Sequence, residues 1–406
     1  MKVLQVNILF NQGSTGKIVA DIHNTLINKN IQSIVCYGAG QTFNHPDIHK
    51  VAYHYELSFY RIWAHIMGLQ YGSGYLSTYR IIEIIKNEKP DIVHLHCING
   101  FFVHIYKLFD FLKKHDINTV LTLHAEFMYT GSCGHAFECE KWTTGCGECP
   151  QLWDAAYSYF FDRTSTAWRK MHKAFEGFNN LVVTAVSPWL RSRAIQSPIL
   201  KNKKIVTIEN GIDTKKTFHP KTYSHLKSQY KIGNEKILLH VTAKFSNREN
   251  DLKGGRYMYE LAERLKDEKI KILIIGSDDK TLDMTNNMIN VGRISDQNLL
   301  AEYYSMADLT VITSKRETFS MPSAESLSCG TPIVGFLAGG PESICLEEYS
   351  EFVEYGNIEA LYKSVLRWID FKSNTDTDIT QIAEEFYSKE KMSCKYINLY
   401  QSIIQK

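Results

Sequence analysis

The sharpest chemistry in this 406-residue chain sits in one short string, Arg316-Glu317-Thr318-Phe319-Ser320-Met321-Pro322-Ser323-Ala324-Glu325. Cys329-Gly330-Thr331-Pro332-Ile333-Val334 follows it. An apolar run over 309–313 precedes the string and reads as a strand. Glu317 is therefore expected in the loop at that strand's carboxyl end, and Glu325 about one turn into the next helix. Doubly wound sheets bind ligands at that end. The amides of Phe319, Ser320 and Met321 would open a helix start, a ready anion site. One loop can thus offer a carboxylate to hydroxyls, amides to a phosphate and a second carboxylate to a ribose. Two glutamates alone would read as surface residues; the whole string makes them a candidate site.

Two further constellations stand out. Gly13-Ser14-Thr15-Gly16-Lys17 looks superficially like a phosphate-binding P-loop, but the spacing is wrong and Ile18 stands where Ser or Thr is needed. As the first β-to-α turn of a doubly wound domain it could still turn amides toward an anion. Cys133, Cys139, Cys146 and Cys149 are spaced C-x5-C-x6-C-x2-C, with His135 among them. Four thiolates can close a tetrahedral structural zinc site. Free buried thiols, a disulfide or a redox C-x-x-C are the alternatives.

The elements that must position these groups follow from hydrophobic patterning. Strands are expected over 2–9, 33–37, 92–95, 119–123 and 181–185, then over 236–242, 270–276, 288–291, 309–313 and 332–335. Helices are expected over 17–29, 79–87, 103–115, 255–266, 295–306 and 323–328. Two β-α series predict two doubly wound α/β domains. The expected division is 1–213 plus 388–406, with the Cys-rich insertion at 129–152, and 214–387. The last segment, 388–406, reads as an amphipathic helix with Met392, Tyr396, Leu399, Tyr400 and Ile403 on one face. Lys+Arg 46 against Asp+Glu 44 argues against a broad nucleic-acid binder. Nine cysteines are too few for a disulfide scaffold. Met1-Lys2 runs directly into a strand pattern and no apolar run is long enough to span a bilayer, so a cytoplasmic location is expected.

The Glu317–Glu325 string resembles the E-x7-E motif of glycosyltransferase family 4, retaining nucleotide-sugar transferases of the GT-B fold. The resemblance extends along essentially the whole chain. Gly13-Ser14-Thr15-Gly16 corresponds to the family's Gly-rich loop facing donor phosphates and acceptor, and Asn210-Gly211-Ile212-Asp213 to its hinge string. Lys253-Gly254 corresponds to the K-G that puts a lysine on the donor diphosphate. Gly339-Gly340-Pro341-Glu342 corresponds to its late Gly-rich loop. The resemblance implies two Rossmann-like domains facing across a cleft, with the C-terminal helix returning to the first. It implies Glu317 on the sugar hydroxyls, Glu325 on the ribose, and Gly13, Gly16, Phe319, Ser320 and Met321 around the donor. The family's usual arginine before the K-G is missing, and either Lys244 or Arg248 could supply that second cation. His124 stands where the family has a donor-sugar histidine, but Ala125-Glu126 replaces the usual aspartate, leaving that role open. His94 and His96 are expected to be structural, with at most one turned to the cleft.

The implied reaction is sugar transfer from a nucleotide-diphosphate sugar to a glycan or polyprenyl-linked saccharide, without a catalytic metal. The Cys-rich insertion resembles that of a subgroup from bacterial exopolysaccharide and colanic-acid-type pathways. The alternatives are a GT-B sugar-nucleotide epimerase and a non-catalytic nucleotide-sugar binding module. Residues 53–80 hold Tyr53, Tyr55, Phe59, Tyr60, Trp63, Tyr71, Tyr75 and Tyr79. Aromatics at helical spacing are usually core, so burial is expected. Gly68, Gly72 and Gly74 motivate the alternative of an acceptor- or membrane-facing surface, with peripheral contact at the inner face of the membrane implied by the resemblance only.

Overall fold

The computed structural model describes residues 1–279, 282–374 and 379–405. Lys406, the end of the expected terminal helix, lies outside the described residues. The chain forms two units, Met1–Glu209 with Met392–Lys406, and Asn210–Lys391. Residues 210–213 and 388–391 group with the second unit. Ile212 bridges Ser388 there, and Lys389 Nζ donates to Asp213 Oδ2 at 2.7 Å.

The first unit is built on seven strands: β1 (Lys2–Asn7), β2 (Gln32–Tyr37), β3 (Ile48–Lys50), β4 (Ile92–Leu95), β5 (Thr119–Leu123), β6 (Leu181–Ala185) and β7 (Lys204–Thr207). Their order is β3-β2-β1-β4-β5-β6-β7, and every pairing is parallel. Val3, Leu4, Val93, Leu95, Val120 and Leu121 are all fully buried. Such continuous apolar runs fit a parallel sheet covered on both faces. The helix Lys389–Ile404 lays Met392, Tyr396, Leu399 and Tyr400 on this unit's core beside Val3, Ile18, Ile92 and Val120, with Ile403 at the margin. The face expected from its periodicity is the face that packs.

The second unit holds β8 (Lys236–Val241), β9 (Ile270–Ile275), β10 (Met288–Gly292), β11 (Leu309–Ile312), β12 (Ile333–Phe336) and β13 (Ser350–Val353). Their order is β10-β9-β8-β11-β12-β13. In each sheet the chain winds outward from a central strand and then returns to its other side, between β1 and β4 and between β8 and β11. Ligand sites of open α/β sheets lie beyond the carboxyl ends of the strands at such reversals.

One expectation is overturned. The aromatic segment does not form core but opens with a helix, His54–Met67. It buries only Glu56 and Ala64. Arg80 grips the Glu56 carboxylate through both nitrogens at 2.8 Å. Gly68 ends the helix at φ +64°, the left-handed conformation that glycine adopts without a Cβ penalty. The apolar stripe Tyr55, Phe59, Ile62, Trp63 and Ile66 points to solvent, with Tyr55 69% and Phe59 62% exposed. Tyr71 alone among the named aromatics fulfils the core expectation, with its hydroxyl on the Ser132 carbonyl at 2.6 Å.

Candidate active site

The loops leaving β8 and β11, the neighbouring strands at the second sheet's reversal, carry Lys253 and Glu317. Thr313 joins the loops: its Oγ1 donates to the Lys253 carbonyl at 2.9 Å. The Lys315 amide donates to the Leu252 carbonyl at 2.8 Å. Gly254 permits this approach. Its φ is +67°, and a Cβ there would lie 2.1 Å from the Thr313 carbonyl oxygen. Any side chain would force the loops apart. With its backbone held there, Lys253 forms an ion pair with Glu317 Oε1. Ser314 Oγ donates to the same oxygen at 2.9 Å.

The Glu317 backbone is clamped as well. Its amide donates to the Ala338 carbonyl at 3.0 Å, and its carbonyl accepts from the Gly340 amide at 2.8 Å. A Cβ on Gly340 would meet the Phe319 nitrogen at 2.5 Å, so the Gly-rich loop lies directly on the Glu317 loop. Glu342 holds that second loop in shape by accepting from the Ala338 and Gly339 amides at 3.0 and 2.7 Å. Ser320 precedes the helix Met321–Ser328 at φ +84°. A left-handed serine costs of order 1–3 kcal/mol, and such strain clusters at functional sites. Its hydroxyl meets Ser323 Oγ at 2.8 Å, while Phe319 is buried. Glu325 is buried in the helix and accepts from the Tyr304 hydroxyl at 3.0 Å. Lys244 and Arg248 stand on the exposed part of the β8 loop; Lys253 is the cation brought to Glu317.

His240 is a residue that motif spacing does not single out. It lies buried in β8, and its Nδ1 meets the Val311 carbonyl at 3.0 Å. Burial, with the positive charge of Lys253 adding to it, holds its pKa at about 4 against the opposing hydrogen bond. The ring therefore stays neutral and fastens β8 to β11 beneath the two loops. A histidine inside the apolar run Ile237–Val241 is the signal that could have marked it.

In the first unit, Gly13, Ser14, Thr15 and Gly16 do not form a loop ahead of the helix. They are the first turn of the helix Gly13–Asn28, which the chain enters through positive φ at Asn11 and Gly13. Gly16 is buried against Leu9, whose backbone carbon would lie 3.2 Å from an added Cβ. His124 is the first residue after β5, and burial holds its pKa at about 4. Glu126 faces inward and is fully buried. It accepts from the Tyr129 hydroxyl at 2.6 Å, the Ala136 amide at 2.7 Å and Arg193 Nε at 2.9 Å. Its carboxylate is committed to holding the segment that follows.

That segment brings Cys133, Cys139, Cys146 and Cys149 to the wall of one small cavity, with Trp142 and Thr164. Residues 145–148 all turn at positive φ, which folds the Cys146–Cys149 pair into a tight knuckle. All nine cysteines are free thiols, so the disulfide alternative is not the form observed. Among the described residues, no group of three or more His, Cys, Asp or Glu side chains stands at metal-holding spacing.

Two parallel sheets, each with a chain reversal, and a clamped lysine–glutamate pair beyond one of them define a doubly wound α/β protein with a charged site at the second sheet's reversal. Comparison with known proteins agrees. The family model described as Glycosyltransferase Family 4 matches residues 16–216, and that described as Glycosyl transferases group 1 matches residues 227–386. The chain belongs to this glycosyltransferase family and is a glycosyltransferase. It is 21% identical to WcaC of Escherichia coli K12, over 99% of this chain and 100% of that one. The name of WcaC assigns it provisionally to colanic acid biosynthesis as a glycosyl transferase. Among solved structures, sucrose-phosphate synthase from Thermosynechococcus elongatus superposes with a TM-score of 0.68 at 14% identity, covering 100% of both chains. HepE of Anabaena, solved in complex with UDP-glucose, gives 0.66 at 14% identity, covering 99% of this chain and 100% of that one.

Proposed function

We propose that this glycosyltransferase retains anomeric configuration and moves a sugar from a nucleotide-diphosphate sugar to a glycan or polyprenyl-linked saccharide in bacterial surface polysaccharide synthesis. The observation that carries this reading is the Lys253–Glu317–Ser314 cluster beside a helix start. Lys253, with amides near Phe319–Met321, would stabilise the departing diphosphate, and Lys244 or Arg248 would add a second cation. Glu317 would hold sugar hydroxyls and Glu325 the ribose. Gly13, Gly16 and His124 would serve from the first unit. The UDP-glucose complex of HepE and the name of WcaC support a nucleotide-sugar donor and a polysaccharide product. The test is calorimetry with UDP-, GDP-, ADP- and CMP-sugars, followed by transfer assays with anomeric analysis by NMR. One donor class is expected to bind and to be transferred with retention. Isomerised donor without acceptor would mean an epimerase, and binding without any turnover a binding module.

Cys133, Cys139, Cys146 and Cys149, which line one small cavity, would hold a structural zinc ion once drawn closer together. What supports this reading is four thiols lining one cavity beside a left-handed knuckle, the ligand type of closed tetrahedral zinc sites. Elemental analysis of protein purified without added zinc is expected to give about one zinc per chain, lost in Cys146→Ser. Native, fully folded protein without zinc would overturn this.

Peripheral membrane contact would fall on the helix His54–Met67. Its outward stripe joins tyrosine and tryptophan to aliphatic residues, and Arg61 supplies a cation beside it, the make-up of an interfacial helix. Among the described residues, no helix is long and apolar enough to cross a membrane. Co-flotation with anionic liposomes is expected, weakened at least about tenfold in Phe59→Ser/Trp63→Ser because two exposed aromatic rings would no longer enter the bilayer interface. Wild-type protein that stays at the bottom of the gradient would sink the idea.

A further inference from the structure

We infer that His96 is a positioning residue for His124, the last link of a buried hydrogen-bond chain that decides which nitrogen of His124 carries its proton. The inference rests on the reading of His124 as a group that serves the sugar transfer. The chain starts at a backbone carbonyl. Gln5 is fully buried in β1, among Val3, Leu4 and Val6. A buried carboxamide in an apolar strand is costly unless its hydrogen bonds are made. Its Nε2 donates to the Val19 carbonyl at 3.4 Å, which turns Oε1 toward His96 Nε2 at 3.3 Å. His96 Nδ1 lies 3.3 Å from His124 Nε2. The three side chains come from β1 and from the ends of β4 and β5, which are consecutive in the sheet.

Valence then assigns the protons along the chain. A carboxamide oxygen can only accept, so His96 donates through Nε2. Burial pushes His96 well below the usual histidine range, with His94 and His124 beside it adding to the effect, so the ring is neutral and its Nδ1 can only accept. His124 must therefore donate through Nε2. Being neutral as well, it keeps Nδ1 as its acceptor nitrogen.

The plane of His96 is held from its other face. His94 stacks on it with ring centroids 3.8 Å apart. His94 is itself fixed by the Tyr400 hydroxyl at 2.6 Å and Thr122 Oγ1 at 2.7 Å. Tyr396 reaches the same threonine at 3.0 Å. The terminal helix thus braces the relay through two tyrosines, and both histidines that spacing alone leaves as structural acquire a role relative to His124.

The test reads the tautomer directly. Two-bond nitrogen–proton NMR of the histidine rings is expected to give the Nε2–H form for His124 in the wild type. His96→Leu should convert it to a mixture or to the Nδ1–H form. The same variant should lower kcat by about tenfold to a hundredfold, the scale of one misdirected hydrogen bond in a transition state, with donor binding little changed. His96→Asn, whose amide oxygen can take the place of Nδ1, should restore most of both. Gln5→Leu removes the upstream acceptor and should act in the same direction if His96→Leu folds poorly. His124 remaining Nε2–H in both His96→Leu and Gln5→Leu would overturn the relay. A changed tautomer with unchanged transfer would overturn its part in the reaction, whatever the donor.

Discussion

Glu317→Gln is expected to lower kcat/KM for sugar transfer by about a hundredfold to a thousandfold, the cost of losing one preorganised charged partner in an active site. The fold should be unaffected, with a melting temperature close to the wild type. The substitution keeps the shape, so Ser314 Oγ can still donate to the amide oxygen, and the clamps on the Glu317 backbone from Ala338 and Gly340 remain. Only the charge goes. That charge holds Lys253, and in the proposed reaction it faces sugar hydroxyls while Lys253 faces the diphosphate. Glu317→Ala should be at least as severe. Because Glu317 and Lys253 touch, Lys253→Met combined with Glu317→Gln should cost less than the two separate losses added together. Steady-state transfer with radiolabelled donor measures all three. Wild-type transfer by Glu317→Gln would remove the donor-site assignment.

The second large effect is on stability. Glu126→Ala should destabilise the first unit by about 3–5 kcal/mol, the range for breaking a buried ion pair by removing one partner. The Glu126 side chain is wholly buried and Arg193 nearly so. Alanine would leave that guanidinium with the exposed Glu140 at 3.1 Å as its remaining carboxylate partner, between the Trp142 and Trp189 rings at 5.0 and 5.5 Å. The Ala136 amide and the Tyr129 hydroxyl would lose their acceptor inside the protein. At about 2–4 °C per kcal/mol for a unit of this size, the melting temperature should drop by roughly 10 °C, with earlier proteolysis around residues 133–150. Glu126→Gln keeps an acceptor for the Ala136 amide and should be milder. Below its melting temperature it should transfer sugar at close to the wild-type rate, because this carboxylate touches Arg193, Tyr129 and Ala136. A large loss of kcat in stably folded Glu126→Gln would instead give it the role that the family's aspartate has after this histidine.

Much of this architecture is legible in the chain because it is written locally. β4, β5 and β6 begin and end where their apolar runs do. A strand buried on both faces is apolar at most positions, with the few polar ones, such as His94 and Thr122, hydrogen-bonded to each other, and its flanking residues are not. The Glu317 string was readable because strand, turn and helix start follow one another within a few residues. Other elements left weaker marks. β3 has three residues with one apolar among them, and β13 opens on Ser350 and Glu351, so neither carries an apolar run. β7 offers only Ile205 and Val206 as an apolar pair, just ahead of the Asn210–Asp213 string. The first turn, Gly13–Gly16, looked like a loop because glycines disfavour helix interiors, yet at a helix start they allow the close approach to Leu9. The helix His54–Met67 misled for a different reason. Periodicity reports that a stripe is apolar, not what covers it, and here no part of the described chain covers most of it.

Local order of residues was therefore sufficient for the two β-α series, for the loops that end in lysine and glutamate, and for the buried face of the terminal helix. Hydrophobic period, turn chemistry and capping act within a few residues, and a linear string contains them. Which side chains meet was decided by the sheets. Lys253 and Glu317 are 64 positions apart and pair because β8 lies beside β11. Gln5, His96 and His124 join because β1, β4 and β5 are neighbours. Glu126 turns inward to Arg193 instead of outward. Such meetings depend on strand order and on the depth at which each group is desolvated, and both are properties of the folded chain as a whole.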